Sequence, residues 1–181
     1  DGAAASGLSK DADRILELLA DGALNPLFTQ DEFDKEKAKM IEGLKSDEKN
    51  VTSIARRVEG VLTYGKEHYK GEYVSEETLN NVTLADVIEN YNTYYVPGNA
   101  YLVVVGDVTV KDVKKMVKKQ FKNWSKATAP DRSSADPVDV QYSQINFIDA
   151  TNAVQSEVAL VNLSKLKMTD KDYFAALLAN Q

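Results

Sequence analysis

Cysteine is absent from this sequence. That removes disulfides, thiol nucleophiles and cysteine-type metal sites, and it suits the cytosol and an oxidising envelope equally well. Histidine is nearly absent as well. His68 is the sole copy, so a zinc site with two histidines cannot form within the chain. Its setting, YGKEHYKGEY (64–73), is rich in turn residues rather than a strained nucleophile elbow, and His68 reads as structural or exposed. No apolar run approaches the roughly 20 residues needed to span a bilayer. The longest, AYLVVVG (100–106), has the length of a strand. A glycine-rich phosphate loop is missing, because VVVGDVTV (103–110) carries a single glycine. Basic excess is missing too: 28 acids oppose 22 bases, for a net charge of −6. Such a balance offers phosphates no basic face and argues against a nucleic-acid partner.

What is present describes a globular chain. Its 181 residues are 43% hydrophobic and 28% charged, enough for one domain or one domain with part of another. The first residue is not Met and the last stretch, FAALLANQ, is an apolar helix pattern without a stop signal. Both ends therefore read as cut. Threonines followed three residues later by an acid mark helix starts at Thr29/Glu32, Thr83/Asp86, Thr109/Asp112 and Thr169/Asp172. From these signals helices are predicted near 10–21, 30–47, 51–64, 83–93, 109–124 and 169–180. Strands are predicted at 2–8, 99–108, 143–150 and 156–164, the second of them central because it is apolar throughout. Residues 125–140 carry Pro130 and Pro137 among Ser, Ala and Asp, a linker composition that places a domain boundary there. The helix KDVKKMVKKQFKNW carries six lysines, yet Val113, Met116, Val117 and Phe121 keep an apolar stripe, so the lysines read as a solvated face. The triplets at Asn50 and Asn81 fit glycosylation acceptors only if the chain is secreted.

The segment DKEKAKMIEGLKSDEK (34–49) is helical in pattern apart from Gly43, which costs about 1 kcal/mol relative to alanine inside a helix. At 100° per residue, Glu36 and Gly43 lie about 20° from eclipsed, two turns apart. Phe33, Met40, Ile41 and Leu44 form the apolar stripe, with Glu36, Met40 and Gly43 along its edge. Glu42 lies about 120° around from Glu36, toward solvent. The helix thus presents one inward acid and, two turns on, an empty notch.

Residues 8–45 (LSKDADRILELLADGALNPLFTQDEFDKEKAKMIEGLK) resemble the zinc peptidases of the insulinase, pitrilysin and mitochondrial-processing-peptidase type. The order downstream resembles them too: HYKGEY, ETLNNVTLADV, YYVPGNAYLVVVGDV, then a helix ending in Phe121 and Trp124. NAVQSEVALVN followed by MTDKDYFAALLANQ resembles the start of that family's second, similar domain. The resemblance implies an inverted zincin, whose H-x-x-E-H helix supplies two histidines and a general-base Glu, and whose third ligand is a Glu on a later helix. That later helix matches FDKEKAKMIEGLK, with the third-ligand position on Gly43 and a supporting acid seven residues earlier on Glu36. The H-x-x-E-H motif is not in the chain.

Three readings follow. In the first, the chain belongs to a non-catalytic peptidase-like half that shapes a peptide-binding chamber with an active partner. It then holds no cofactor, zinc sits only in the homologous partner half or subunit, and no residue here is catalytic. In the second, it is a fragment of an active zinc endopeptidase whose H-x-x-E-H helix lies upstream, with Glu42 as substitute ligand. In the third, it is an interaction module unrelated to proteolysis. The architecture implied is α+β, a mainly antiparallel sheet with helices on one face. It is truncated at its start (1–124), then followed by a linker (125–140) and the beginning of a similar second domain (141–181). A peptide is expected to add to a strand edge at Ala3, Ala4, Ala5, Ser6 and Gly7, where small side chains admit a backbone closely. Self-association through uncovered surface is expected as well. Family precedent points to a bacterial periplasm or cell envelope.

Overall fold

The computed structural model describes all residues except Asp1, Arg132, Ser134, Ala135, Val138, Asp139, Gln141, Asn152, Lys165 and Gln181. Five of these fall in the expected linker 125–140, which to that extent lies outside the described residues. Among the described residues seven α-helices run in chain order: α1 (Ala12–Leu24), α2 (Gln30–Asp47), α3 (Val51–Tyr64), α4 (Glu76–Asn81), α5 (Leu84–Tyr94), α6 (Val110–Gln120) and α7 (Tyr173–Ala179). Residues group into two compact units, one of 1–40 with 77–132 and one of 41–76 with 133–181.

The first unit is held by α1 against α6. Ala12, Ile15, Leu16, Leu19 and Ala20 recur at helical spacing on α1, with Leu16 and Ala20 buried. Val113, Met116, Val117 and Phe121 form the half-covered stripe of α6. Lys119 Nζ meets Asp13 Oδ2 at 2.7 Å between the two helices. That hydrogen bond from Lys119 holds the Asp13 carboxyl below its ordinary range and raises Lys119 above its own. Both side chains are exposed, so solvent screens the pair. An aromatic chain continues the core: Phe28 edge-on to Tyr91, Tyr91 stacked on Tyr95, and Tyr95 against Trp124. The Tyr91 hydroxyl donates to the Ala23 carbonyl at 2.7 Å, and burial pushes that phenol's pKa up.

In the second unit, Asn50 caps α3 by accepting the Ser53 N–H at 3.1 Å, and α3 stops at Gly65, whose φ of 80° favours glycine. The chain then folds back on α3. Gly71 is buried where any Cβ would fall onto the Gly65 carbonyl oxygen. Its N–H donates to the His68 carbonyl at 2.8 Å.

Local signals predicted the helix starts well in three of four cases. Thr83 and Asp86 form a full capping box, with the Asp86 carboxylate accepting the Thr83 N–H at 2.7 Å. Thr109 accepts the Asp112 N–H at 3.1 Å, and Thr29 accepts that of Glu32 at 3.4 Å. Thr169 does not cap, because α7 starts at Tyr173 behind Asp172. Thr83→Ala is expected to destabilise the first unit by about 1 kcal/mol in urea unfolding. Hydrogen bonds from the Thr83 hydroxyl and N–H lower the Asp86 pKa below its usual 3.8. The box therefore contributes in full above the ordinary carboxylate range and is lost as pH falls through the depressed value. Acid titration of Thr83→Ala should show a smaller loss of stability below pH about 4 than the parent chain.

The α+β expectation is overturned. Among the described residues there is no strand and no sheet, antiparallel or otherwise, and hence no face for helices to cover. Residues 2–8, 99–108, 143–150 and 156–164 contain no strand. Instead of a covered central strand, 101–105 is exposed along its length, and Ile145, Phe147, Val158 and Leu160 are exposed too. The cause is the difference between local and distant bonding. A helix closes its hydrogen bonds four residues away, whereas a strand needs a second segment beside it. Alternating apolar residues suit a strand's side-chain pattern but supply no partner.

Candidate functional site

The α2 helix carries the residues that the sequence singled out. Gly43 is exposed, and a Cβ built there meets nothing within 4 Å, so the notch is open space. Glu42 beside it is exposed to solvent. Glu36, read as inward from its place on the apolar edge, is also exposed. It pairs loosely with Lys39, Nζ to Oε2 3.6 Å. Two turns of helix separate Glu36 from Gly43, as the spacing required.

The N-terminal half of α2 borders an apolar cavity of about 400 Å³, lined among others by Phe28, Phe33, Met40, Leu79 and Val87, with Glu36 at its edge. Lys37 organises one wall. Its ammonium reaches the carbonyls of Asn80 and Val82, each at 2.9 Å, where α4 ends, and lies 5.4 Å from the Phe33 ring centroid. Cations at a helix C-terminus satisfy orphan carbonyls in this way. Sequence reasoning missed both Lys37 and α4; Ser75 followed by Glu76 and Glu77 was the start signal available.

Ala3, Ala4, Ala5, Ser6 and Gly7 are exposed and belong to no strand. Gly7 touches α1, since a Cβ there would come within 2.6 Å of the Ile15 side chain. His68 sits in the turn after α3, stacked between Tyr64 and Tyr69 with ring centroids 5.0 and 4.6 Å away. Its Nδ1 accepts the Lys70 N–H at 3.1 Å, a bond that fixes the turn. Among the described residues, no group of three or more His, Cys, Asp or Glu is placed to hold a metal ion. The recess beside α2 is mainly apolar, with Thr29, Glu32, Glu36 and Lys37 also on its lining.

Residues 81–181 match the family described as the peptidase M16 inactive domain, over more than half of the chain. The chain belongs to that family. The matched part is an inactive domain of insulinase-like peptidases, the family that the order of motifs from HYKGEY to Trp124 implied. No curated protein matches the chain. The M16 match begins at the end of α4 and includes α5, α6 and α7. Gly43, Glu36 and Glu42 precede it, so their correspondence to a ligand-bearing M16 helix rests on the resemblance of residues 8–45. Among the described residues, no helix is long and apolar enough to cross a membrane.

Proposed function

We propose that this M16 chain is part of a non-catalytic half that walls a peptide-holding chamber, while a homologous zinc-bearing half or subunit performs the hydrolysis. The observation that carries the reading is the match of 81–181 to the family's inactive domain. The open notch at Gly43 supports it, because the position that resembles the third-ligand site carries no side-chain donor. The exposed acids Glu36 and Glu42 support it too, since neither converges with a second acid on a common point. In this reading residues 1–124 close a first peptidase-like domain, 125–140 link, and 141–181 open a second. The assembly works in the periplasm or cell envelope.

Peptide backbone lies along Ala3–Gly7, whose small exposed side chains admit close approach. Ala4→Trp lowers peptide affinity in fluorescence titration with the helices unchanged; unchanged affinity removes this segment from the chamber. The wider reading is tested by cleavage. The polypeptide bearing this chain cleaves peptides only after mixing with a zinc-bearing M16 homologue. Chelator-sensitive cleavage by the polypeptide alone overturns it.

A further inference from the structure

The helix α4 has 6 residues, about half of what an isolated helix needs to hold itself together in water. Packing has to keep it formed, and that packing is sparse. From Glu76 to Thr83 only Leu79 is buried, at 9% exposure, and every other residue is exposed. Leu79 and Val82 line the apolar recess of about 400 Å³ beside α2, so the segment is one wall of it.

One polar contact fastens this wall. Lys37, half-buried on α2, donates to the carbonyls of Asn80 and Val82 at 2.9 Å each, on either side of the last residue of α4. The final carbonyls of a helix lack partners within it, so the ammonium meets both the orphan oxygens and the negative end of the dipole. The neighbouring α5 does not need that contact, because Thr83 and Asp86 cap it from its own first turn. Nor does the seam of α1 on α6 need it, since neither helix lines the recess among the described residues. A segment with one buried apolar side chain and exposed backbone belongs to the low end of local stability.

We infer that α4 is a hinged strap on the recess. It lifts as a unit while α5 and the α1–α6 seam stay folded, and Lys37 is the latch that holds it down. Lifting withdraws Leu79 and widens the recess by the space of that side chain. Lys37, Leu79, Asn80 and Val82 all belong to the first unit, and the inference does not depend on the peptidase reading.

Native-state amide exchange of the 181-residue chain tests it. The N–H groups of Asn80, Asn81 and Val82 report on α4. They exchange together, at least roughly tenfold faster than those within α1 and α5, and their rates depend less on added urea. Lys37→Met keeps the apolar stem without the ammonium. It speeds the α4 amides at least roughly tenfold, equivalent to about 1.4 kcal/mol. Leu16→Ala discriminates between lifting and unfolding of the whole unit. It weakens the seam and speeds exchange in α1 and α5, but it leaves the α4 amides unchanged because the seam is still packed when the strap lifts. The chain has no cysteine, so Leu79→Cys supplies a single thiol whose labelling rate reads the lifting directly. Lys37→Met accelerates that labelling and Leu16→Ala does not.

The urea dependence in the parent chain needs no variant: α4 amides with the same slope as those of α1 overturn the inference. Acceleration of the α4 amides by Leu16→Ala overturns it too. So does indifference to Lys37→Met, whether in those amides or in the labelling of Leu79→Cys.

Discussion

Gly71→Ala is expected to destabilise the protein by about 3 kcal/mol, at the upper end of what overpacking costs. Gly71 is buried, and a methyl group there would overlap the Gly65 carbonyl oxygen and crowd that of Gly60. Both obstacles are backbone, held by α3 and by the hydrogen bonds of the turn, so neither can swing aside as a side chain would. The turn must open, losing the Gly71 N–H bond to His68 O and the Tyr64–His68–Tyr69 stack. The same substitution at Gly43 should act in the opposite direction. A Cβ at Gly43 meets nothing within 4 Å, and the position is interior to α2. Gly43→Ala is therefore expected to stabilise by about 1 kcal/mol, the helix-propensity difference. Urea unfolding of the pair reads both signs. Equal effects at the two positions would contradict the placement of the turn after α3.

Leu16→Ala should cost about 3 kcal/mol, within the range for emptying a buried leucine site. Leu16 is 7% exposed on the face of α1 that meets α6, and Ala20, one turn on, is 4% exposed and too small to fill the gap. The exposed Lys119–Asp13 ion pair at the same junction cannot replace this packing. Leu18→Ala provides the contrast. Leu18 is 55% exposed on the opposite side of α1, and its removal should change stability by less than about 0.5 kcal/mol. Denaturation of both variants decides whether the α1–α6 seam is the core of the first unit.

What could be read from the sequence divides along the range of the interaction. The Thr83–Asp86 box, the Thr109 cap and the bounds of α2 and α3 came through because cap and helix lie within four residues of each other. Thr169 misled for the same reason, since Asp172 three residues later completes the motif without a helix following at once. Residues 101–105 were misjudged as a covered strand. Their side chains satisfy the pattern, but pairing depends on a segment that no local rule supplies.

The candidate site shows the same division. At Gly43 only the missing side chain is legible, a fact of the residue type in any fold; its place as a ligand position rests on the resemblance alone. The exposure of Glu36 was not legible: a position on the edge of an apolar stripe becomes inward only if something packs there, and here the recess beside it is open. Nor was the grip of Lys37 on Asn80 and Val82, which joins residues more than forty positions apart.

Metal content tests the non-catalytic assignment most directly. The complete polypeptide that carries this sequence, purified without any homologous subunit and exchanged into zinc-containing then zinc-free buffer, is measured by atomic emission. The notch at Gly43 predicts retained zinc far below one ion per polypeptide, with no change in Glu42→Gln. Stoichiometric zinc that falls away in Glu42→Gln would show the neighbouring acid coordinating in place of the missing ligand, and the chain would then belong to a working metallopeptidase.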